Sequence, residues 1–374
     1  MHARRKSNRR QFLQGESMRD ALRDVQWSMA DPELSPLTSS QDLPATAKDY
    51  VLEVGRHAMA CEFRVLLNAG QHIGAVEAAT EALDLLAQLE DQLSVYRSHS
   101  EVSCLNRDAC ERECVVERQL FALLSRCVAW HADTRGALEI TAGPLVKLWG
   151  FYQRAGRFPD PAEVEATLQR VGTQFLQLNP ETQSLRFLRP GMEINLGSVG
   201  KGYALDRCAE ILAAAHVDNY LIHGGHSSLL ARGARSIHAE SPEWRVALRH
   251  PLRPERRLAE IKLSNVSVGT SGSGQQFFYH RGRRYGHILD PRNGRPAEGV
   301  LSVTVLTSRA DEADALATAF FVLGVEGAHA FRETRPDVKA VFVLPGTKEG
   351  TVSLESVGAD EELVILESGE LPRG

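Results

Sequence analysis

The sequence predicts an α+β fold with mixed or antiparallel sheets and a few long helices, and three observations carry that expectation. Eight strand candidates follow one another between residues 219 and 306 with no helical pattern among them. Four long segments instead carry apolar residues at helical spacing, at 73–95, 118–133, 199–215 and from 310 onward. Strands in runs, interspersed with few helices, point away from the regular alternation that builds a doubly wound parallel sheet. At 374 residues and 43% hydrophobic content, the chain is long enough for one large domain or two ordinary ones.

Residues 1–48 are rich in Ser, Pro, Asp and Arg without sustained periodicity, so they read as a disordered basic leader and linker. Arg9-Arg10-Gln11-Phe12-Leu13 resembles the core of a twin-arginine export signal. The apolar stretch that should follow is replaced by Gln14-Gly15-Glu16-Ser17 and further charges, so a cytoplasmic or membrane-peripheral setting is expected. The folded unit begins near Tyr50, with strands at 50–55 and 61–67 feeding a helix through Val76, Ala79, Leu83, Leu86, Leu89 and Leu93. Asn179-Pro180-Glu181 is a turn signal between strands at 174–178 and 184–188. Later strands fall at 219–223, 227–232, 244–249, 258–262, 265–269, 276–280, 286–289 and 301–306. A last one at 338–343 follows the helix from 310. Residues 346–374 read as an acidic tail in which the apolar run from Leu363 to Leu366 adds one edge strand.

A net charge of -5 gives no basic field for nonspecific nucleic-acid binding. No uninterrupted apolar run approaches the roughly 18 residues a membrane span needs, so no transmembrane segment is expected. Six cysteines without a Cys-x-x-Cys pair suggest reduced, buried thiols rather than a disulfide framework or structural zinc.

Chemistry is concentrated in three segments. Ser308 to Thr318 sets Asp311, Glu312 and Asp314 at the start of an apolar helix, and one turn separates Asp314 from Thr318. Their side chains therefore share a face and offer two hard oxygen ligands suited to Mg²⁺. The competing reading is electrostatic, because acids in a first turn complement the helix dipole, and Ser308 with Asp311 resembles a capping box. Ile194 to Asp206 turns a strand through Gly197, Gly200 and Gly202 into a helix, an anion site to which Lys201 adds a full charge. It matches neither the Walker A loop nor the dinucleotide fingerprint. Thr270-Ser271-Gly272 precedes His287-Ile288-Leu289-Asp290-Pro291, where His287 is either a general base or a satisfied core histidine. Gly224-Gly225-His226-Ser227-Ser228 lacks the Gly-x-Ser-x-Gly pattern of a hydrolase elbow.

Taken in order, these segments resemble the FAD:protein FMN transferase (ApbE) family. The resemblance runs from about Val54 to Val343 and includes Ser94-Val95-Tyr96-Arg97, Leu105-Asn106, Thr141 to Phe151, Asn195 to Asp206, Gly224-Gly225, Thr270-Ser271-Gly272, His287 to Pro296 and Ala313 to Thr318. It implies an ApbE-like domain over 49–345 that binds FAD as substrate with Mg²⁺ on its pyrophosphate. Such a domain transfers FMN to a Ser or Thr hydroxyl of an acceptor protein, a redox subunit, and releases AMP. On the same basis the metal ligands are Asp314, Thr318 and the Ser198 carbonyl. The flavin contacts are Met59, Tyr96, the stretch Ala137-Leu138-Glu139, Asn195, Lys201 and Ile288, and the base is His287. Core packing competes as a reading for Met59 and Tyr96, and a plain surface charge for Glu139. The chain departs from the family pattern at Asn195 and Glu139, where Asp is usual, and at His226, where the family has Gly-Gly-Asp. Water as the nucleophile would make an FAD pyrophosphatase, and loss of turnover would leave a non-catalytic flavin-binding or assembly module.

Overall fold

An eight-stranded sheet, antiparallel throughout, dominates the computed structural model, which describes residues 50–366 except 236–241, 275 and 349. The leader and the last eight residues lie outside the described residues. In chain order the strands are β1 (Val51–Ala58), β2 (Cys61–Asn68), β3 (Cys114–Val115), β4 (Leu176–Asn179), β5 (Ser184–Phe187), β6 (Tyr220–Gly224), β7 (Ser228–Arg232), β8 (Trp244–His250) and β9 (Arg253–Leu263). They continue with β10 (Ser267–Gly272), β11 (Phe277–His280), β12 (Arg283–Gly286), β13 (Leu289–Asp290), β14 (Arg295–Pro296), β15 (Ser302–Thr307), β16 (Lys339–Pro345), β17 (Val352–Val357) and β18 (Leu363–Ile365). The large sheet runs β1-β2-β6-β7-β10-β15-β16-β17.

The helices are α1 (Ala75–Leu93), α2 (Glu101–Asp108), α3 (Arg118–Asp133), α4 (Gly143–Leu148), α5 (Pro161–Leu168), α6 (Gly200–Ala214) and α7 (Ala310–Arg332). Strand alternation gives the sheet two apolar faces. Phe63, Val65, Leu67, Ile222 and Leu230 meet the helices α1 and α6. Leu66, Leu221, Leu229 and Val268 meet Trp244, Val246 and Ile261 of a second sheet, β18-β9-β8. α1 buries Ala75, Ala78, Ala79, Ala82, Leu83, Leu86, Leu89 and Leu93, while Val76, expected on that face, is exposed. The stripe is rotated because its first turn is carried by alanines packed closely on the sheet.

α7 is long and apolar enough, by length and composition, to cross a membrane, yet it is a core helix: Ala313, Leu316, Ala317, Phe320 and Phe321 are buried against Val303, Val305 and Phe342. It breaks at Gly324, whose φ of 70° and ψ of -172° are non-helical. In the segment expected as an acidic tail with one edge strand at 363–366, that strand forms as β18, and a second, β17, forms ahead of it. β17 extends the large sheet beside β16, and β18 pairs with β9. Val352 and Leu354 share one face of β17 and Val357 packs from the other, an apolar pattern too short to stand out among the surrounding acids in the sequence.

Candidate active site

The site is built where the first turns of α6 and α7 meet. Asp314 of α7 accepts from the Gly202 N–H of α6 at 2.8 Å, and Asp206 of α6 accepts from the Ala310 and Asp311 N–H groups of α7 at 3.0 Å each. Each helix thus supplies a carboxylate cap to the other's orphan donors. Such reciprocal capping needs near contact of the backbones, and Gly202 permits it: a Cβ there would lie 2.0 Å from the Ala310 carbonyl oxygen. Gly269 of β10 does the same from the sheet, where a Cβ would meet the Ala313 carbonyl at 2.4 Å. The capping box anticipated from Ser308 and Asp311 does not form. The helix starts after Arg309, and Asp311 is occupied by the Arg126 and Arg309 guanidinium groups. Glu312 pairs with Arg335 at 3.0 Å.

Asp314 is left as the carboxylate of the site. Its two oxygens accept from the Ser228 hydroxyl at 2.7 and 2.8 Å. Burial raises its pKa to about 6, against the opposing pull of Lys201, Ser228 and the Gly202 amide. One turn on, the Thr318 hydroxyl donates to the Asp314 carbonyl at 3.3 Å and lies 3.2 Å from the Ser271 hydroxyl. Ser198 belongs to the turn 197–199 immediately before α6, whose N terminus carries no side-chain cap. One carboxylate with hydroxyl and carbonyl oxygens is a donor set for a hard cation. The described residues contain no cluster of three or more His, Cys, Asp or Glu side chains placed for a metal. That composition fits Mg²⁺, which keeps few protein ligands and completes its shell with waters and substrate phosphates. A buried, desolvated carboxylate near a single lysine is also one that a divalent charge would stabilise.

The glycine loop is fixed from below. The Asn106 side chain donates to the Ile194 carbonyl at 2.9 Å and accepts from its N–H at 2.7 Å, clamping the segment that leads into the loop, which was expected as a strand but makes only an isolated bridge from Glu193 to Ala142. Asn195 accepts from the Gly197 N–H at 2.9 Å through its side chain, and its own N–H donates to the Ile140 carbonyl at 2.7 Å. In this arrangement the Asn195 amide shapes the loop. Lys201 follows, and its charge acts on Asp314, on Cys61 and on His287. Gly225, in the β6–β7 turn, brings Cys61 and the Lys201 stem together. Burial pushes the Cys61 thiol up to about 11, so it is no thiolate nucleophile.

His287 Nδ1 lies 3.1 Å from the Gln276 carbonyl oxygen. A carbonyl only accepts, so Nδ1 carries the proton and Nε2 keeps its lone pair. Burial, and after it the Lys201 charge, hold the imidazole below its ordinary pKa. Ile288 is buried beside Val300 and Val303.

The remaining residues singled out in the sequence are spread around this centre. Met59 is not in a strand: with Ala60 it forms the turn between β1 and β2, at φ of 50° and 59°. Tyr96 is 67% exposed and stacks on Tyr152 with ring centroids 4.6 Å apart. Ala137 and Leu138 are buried in the main core. Glu139, for which a plain surface charge competed with a flavin contact, is no surface charge: its side chain is buried. Its carboxylate accepts from the N–H and hydroxyl of both Thr141 and Thr173 at 2.7–2.9 Å, with His131 Nδ1 at 3.2 Å. The loop 137–139 therefore presents backbone, with Glu139 as its internal brace. Two concavities of about 280 and 270 Å³ lie nearby, one beside Lys147 and Glu193, the other beside His131, Glu139, Gly172 and Arg292. Neither is lined by Asp314 or Lys201.

Sequence reasoning passed over Ser228, Asn106 and Asp206 as functional groups. Ser228 lay in a motif judged only as a failed hydrolase elbow. Asp206 and Asn106 lay inside quoted blocks, and their roles depend on partners about 90 to 105 residues away.

Known proteins resemble this chain over most of its length. The ApbE family profile matches residues 57–342. A curated FAD:protein FMN transferase of Treponema pallidum (strain Nichols) is 34% identical over 280 residues, 72% of this chain and 77% of that protein. One from Klebsiella pneumoniae (strain 342) is 33% identical over 295 residues, 78% of this chain and 88% of the relative. Among solved structures, the ApbE protein of Thermotoga maritima superposes with a TM-score of 0.74 at 27% identity, covering 83% of this chain and 98% of its own. The apo form of the Pseudomonas stutzeri flavinyl transferase ApbE does so at 0.73 and 30%, covering 84% and 97%.

Proposed function

This chain belongs to the ApbE family, and from that premise we propose that it is an FAD:protein FMN transferase that moves the FMN half of FAD onto a Ser or Thr hydroxyl of an acceptor protein, with Mg²⁺ at the diphosphate and AMP as the leaving product. The observation that carries the reading is the joining of Asp314 to the first turn of α6 beneath Lys201. Oxygen ligands for a cation and cationic donors for a diphosphate then share one place.

Asp314, Thr318 and the Ser198 carbonyl would hold the metal, which neutralises phosphoryl charge and polarises phosphorus when bound. Ser228 and the Gly202 amide fix the rotamer of Asp314. The N terminus of α6 and Lys201 bind phosphate oxygens and stabilise the charge that builds on the departing AMP. His287 Nε2 takes the proton of the acceptor hydroxyl. Its oxygen bonds to the FMN phosphorus while the bond from that phosphorus to the bridging oxygen breaks. The chain gains no covalent bond, and the proton passes from His287 to solvent. Tyr96, on its Tyr152 support, supplies a flat exposed ring for the flavin.

Mass spectrometry tests this directly. Purified protein with FAD, Mg²⁺ and Ser/Thr-containing acceptor peptides should yield one covalent FMN per labelled peptide and one AMP per adduct. AMP and free FMN without any adduct would instead identify a pyrophosphatase, and FAD bound with neither product a non-catalytic module.

A further inference from the structure

We propose that the outer edge of β11 is the docking site for the acceptor protein, which adds a strand there and so delivers its hydroxyl to His287; this rests on the transfer reading above. β11 and β12 form a two-stranded sheet of their own, with no third strand among the described residues. The His287 N–H donates to the Gln276 carbonyl at 3.1 Å, which makes residues 276 and 287 a hydrogen-bonded pair. In an antiparallel ladder such pairs alternate, so 278 with 285 and 280 with 283 bond inward. The N–H and C=O groups of Phe277 and Tyr279 therefore point away from β12. They form an open edge of the kind that folded proteins otherwise cover.

The side chains of the same two residues are turned outward, Phe277 at 41% and Tyr279 at 66% exposure, while Phe278 and His280 pack inward on Phe151 and Phe158. An edge with free backbone groups and two exposed aromatics suits strand addition: the main chain gives affinity and alternate side chains give selectivity. Charge selects the partner. The hairpin has no acid of its own; Arg283 pairs with Glu298 and Arg284 donates to the Ser273 carbonyl, which leaves the exposed Arg281 at the turn as the cation that faces a partner. Arg284 lies over the Phe277 ring at 3.9 Å. The occupant is accordingly an extended, acidic, β-prone segment flanking the acceptor Ser or Thr. Continuity with the reacting group supports this occupant, since Gln276, immediately before β11, bonds inward to His287 and orients it, so a segment laid along Phe277 and Tyr279 runs towards that residue.

The test uses the full chain with FAD, Mg²⁺ and a positional library of Thr-containing 12-residue peptides, scored by covalent flavin fluorescence. Wild type should prefer peptides with Asp or Glu near the Thr. Tyr279→Pro, which removes an outward N–H from an edge where Pro is tolerated, should raise the peptide KM about tenfold or more, equivalent to about 1.4 kcal/mol of docking. kcat and FAD affinity should stay unchanged. Phe277→Ser/Tyr279→Ser keeps the backbone intact and should act in the same direction, and Arg281→Glu should erase the acidic preference. Labelling by wild type with unaltered KM in all three variants overturns the docking site and leaves the transfer reading standing. No labelling of any peptide by wild type overturns both.

Discussion

At the scale of single residues, the site is a set of ordinary side chains made specific by what they touch. Asp314→Ala should lower AMP release about 10²-fold or more with the fold retained, as expected when a lone metal-binding carboxylate is lost. Ser228 touches no reacting atom in this account. Ser228→Ala should cost about 10- to 100-fold in metal affinity, and Ser228→Thr should restore most of it, because what Asp314 needs is the hydroxyl. A metal titration of the three proteins measures both effects. His287→Gln should reduce transfer by about 10²–10⁴-fold with FAD affinity unchanged. The sign of the pH dependence follows from the environment: burial and Lys201 disfavour the imidazolium, so the basic form persists below the ordinary histidine range. The rate should therefore be flat near neutrality and fall only below about pH 6.5, the unperturbed histidine value. A limb centred above neutrality would assign the base elsewhere. Asp314, Thr318 and Lys201 stand out in the sequence as candidates because helical spacing and glycines ahead of a helix are local signals. Ser228 was not, because its role appears only when β7 is laid against α7.

At the scale of elements, two helices capping each other through Asp206 and Asp314 hold the site together. The contact tolerates no side chain at Gly202. Gly202→Ala should destabilise the protein by at least about 2 kcal/mol, since overpacking here pushes on backbone that cannot rotate away. Gly200→Ala, whose Cβ would meet nothing nearer than Leu93 Cδ1 at 4.0 Å, should be neutral or slightly stabilising. Urea midpoints of the two variants check the contrast. The long helices and most strands of the large sheet were visible as periodicity. The short helices α2, α4 and α5 were not, because six to eight residues span too few turns to establish a helical stripe. α2 nevertheless bears Asn106, and α4 starts at Gly143, which lies against Glu193 just ahead of the glycine loop. Elements too short to announce themselves thus position the loop that does.

At the scale of the whole molecule, the antiparallel sheet separates two chemistries. Ser228 faces the helices and Asp314, whereas His223, next to Leu221 in β-strand alternation, faces the second sheet, where it stacks on His226 at 5.0 Å. Burial lowers both histidines to about 4, and the Nδ1 of His223 is buried without a hydrogen-bond partner. Their protonation costs nothing above pH 6.5, where folded and unfolded chains are both neutral. Below it the unfolded chain binds protons first, so stability is lost as the pH falls from about 6.5 towards 4. For His223 alone the loss approaches roughly 3 kcal/mol. Denaturation midpoints across that window should show the slope, and His223→Leu should flatten it. His226 was noticed in the sequence as a departure from the family's acidic residue, but its stacking partner and its side of the sheet follow only from the fold. The central claim remains that transfer depends on a divalent cation held at Asp314. The most direct measurement is the rate of covalent FMN transfer to an acceptor peptide as Mg²⁺ is titrated into chelator-treated protein, for wild type and Asp314→Ala in parallel. Wild type should show saturable activation, and the variant a response at least about 10²-fold weaker. Full transfer by either protein in the presence of excess chelator would contradict it.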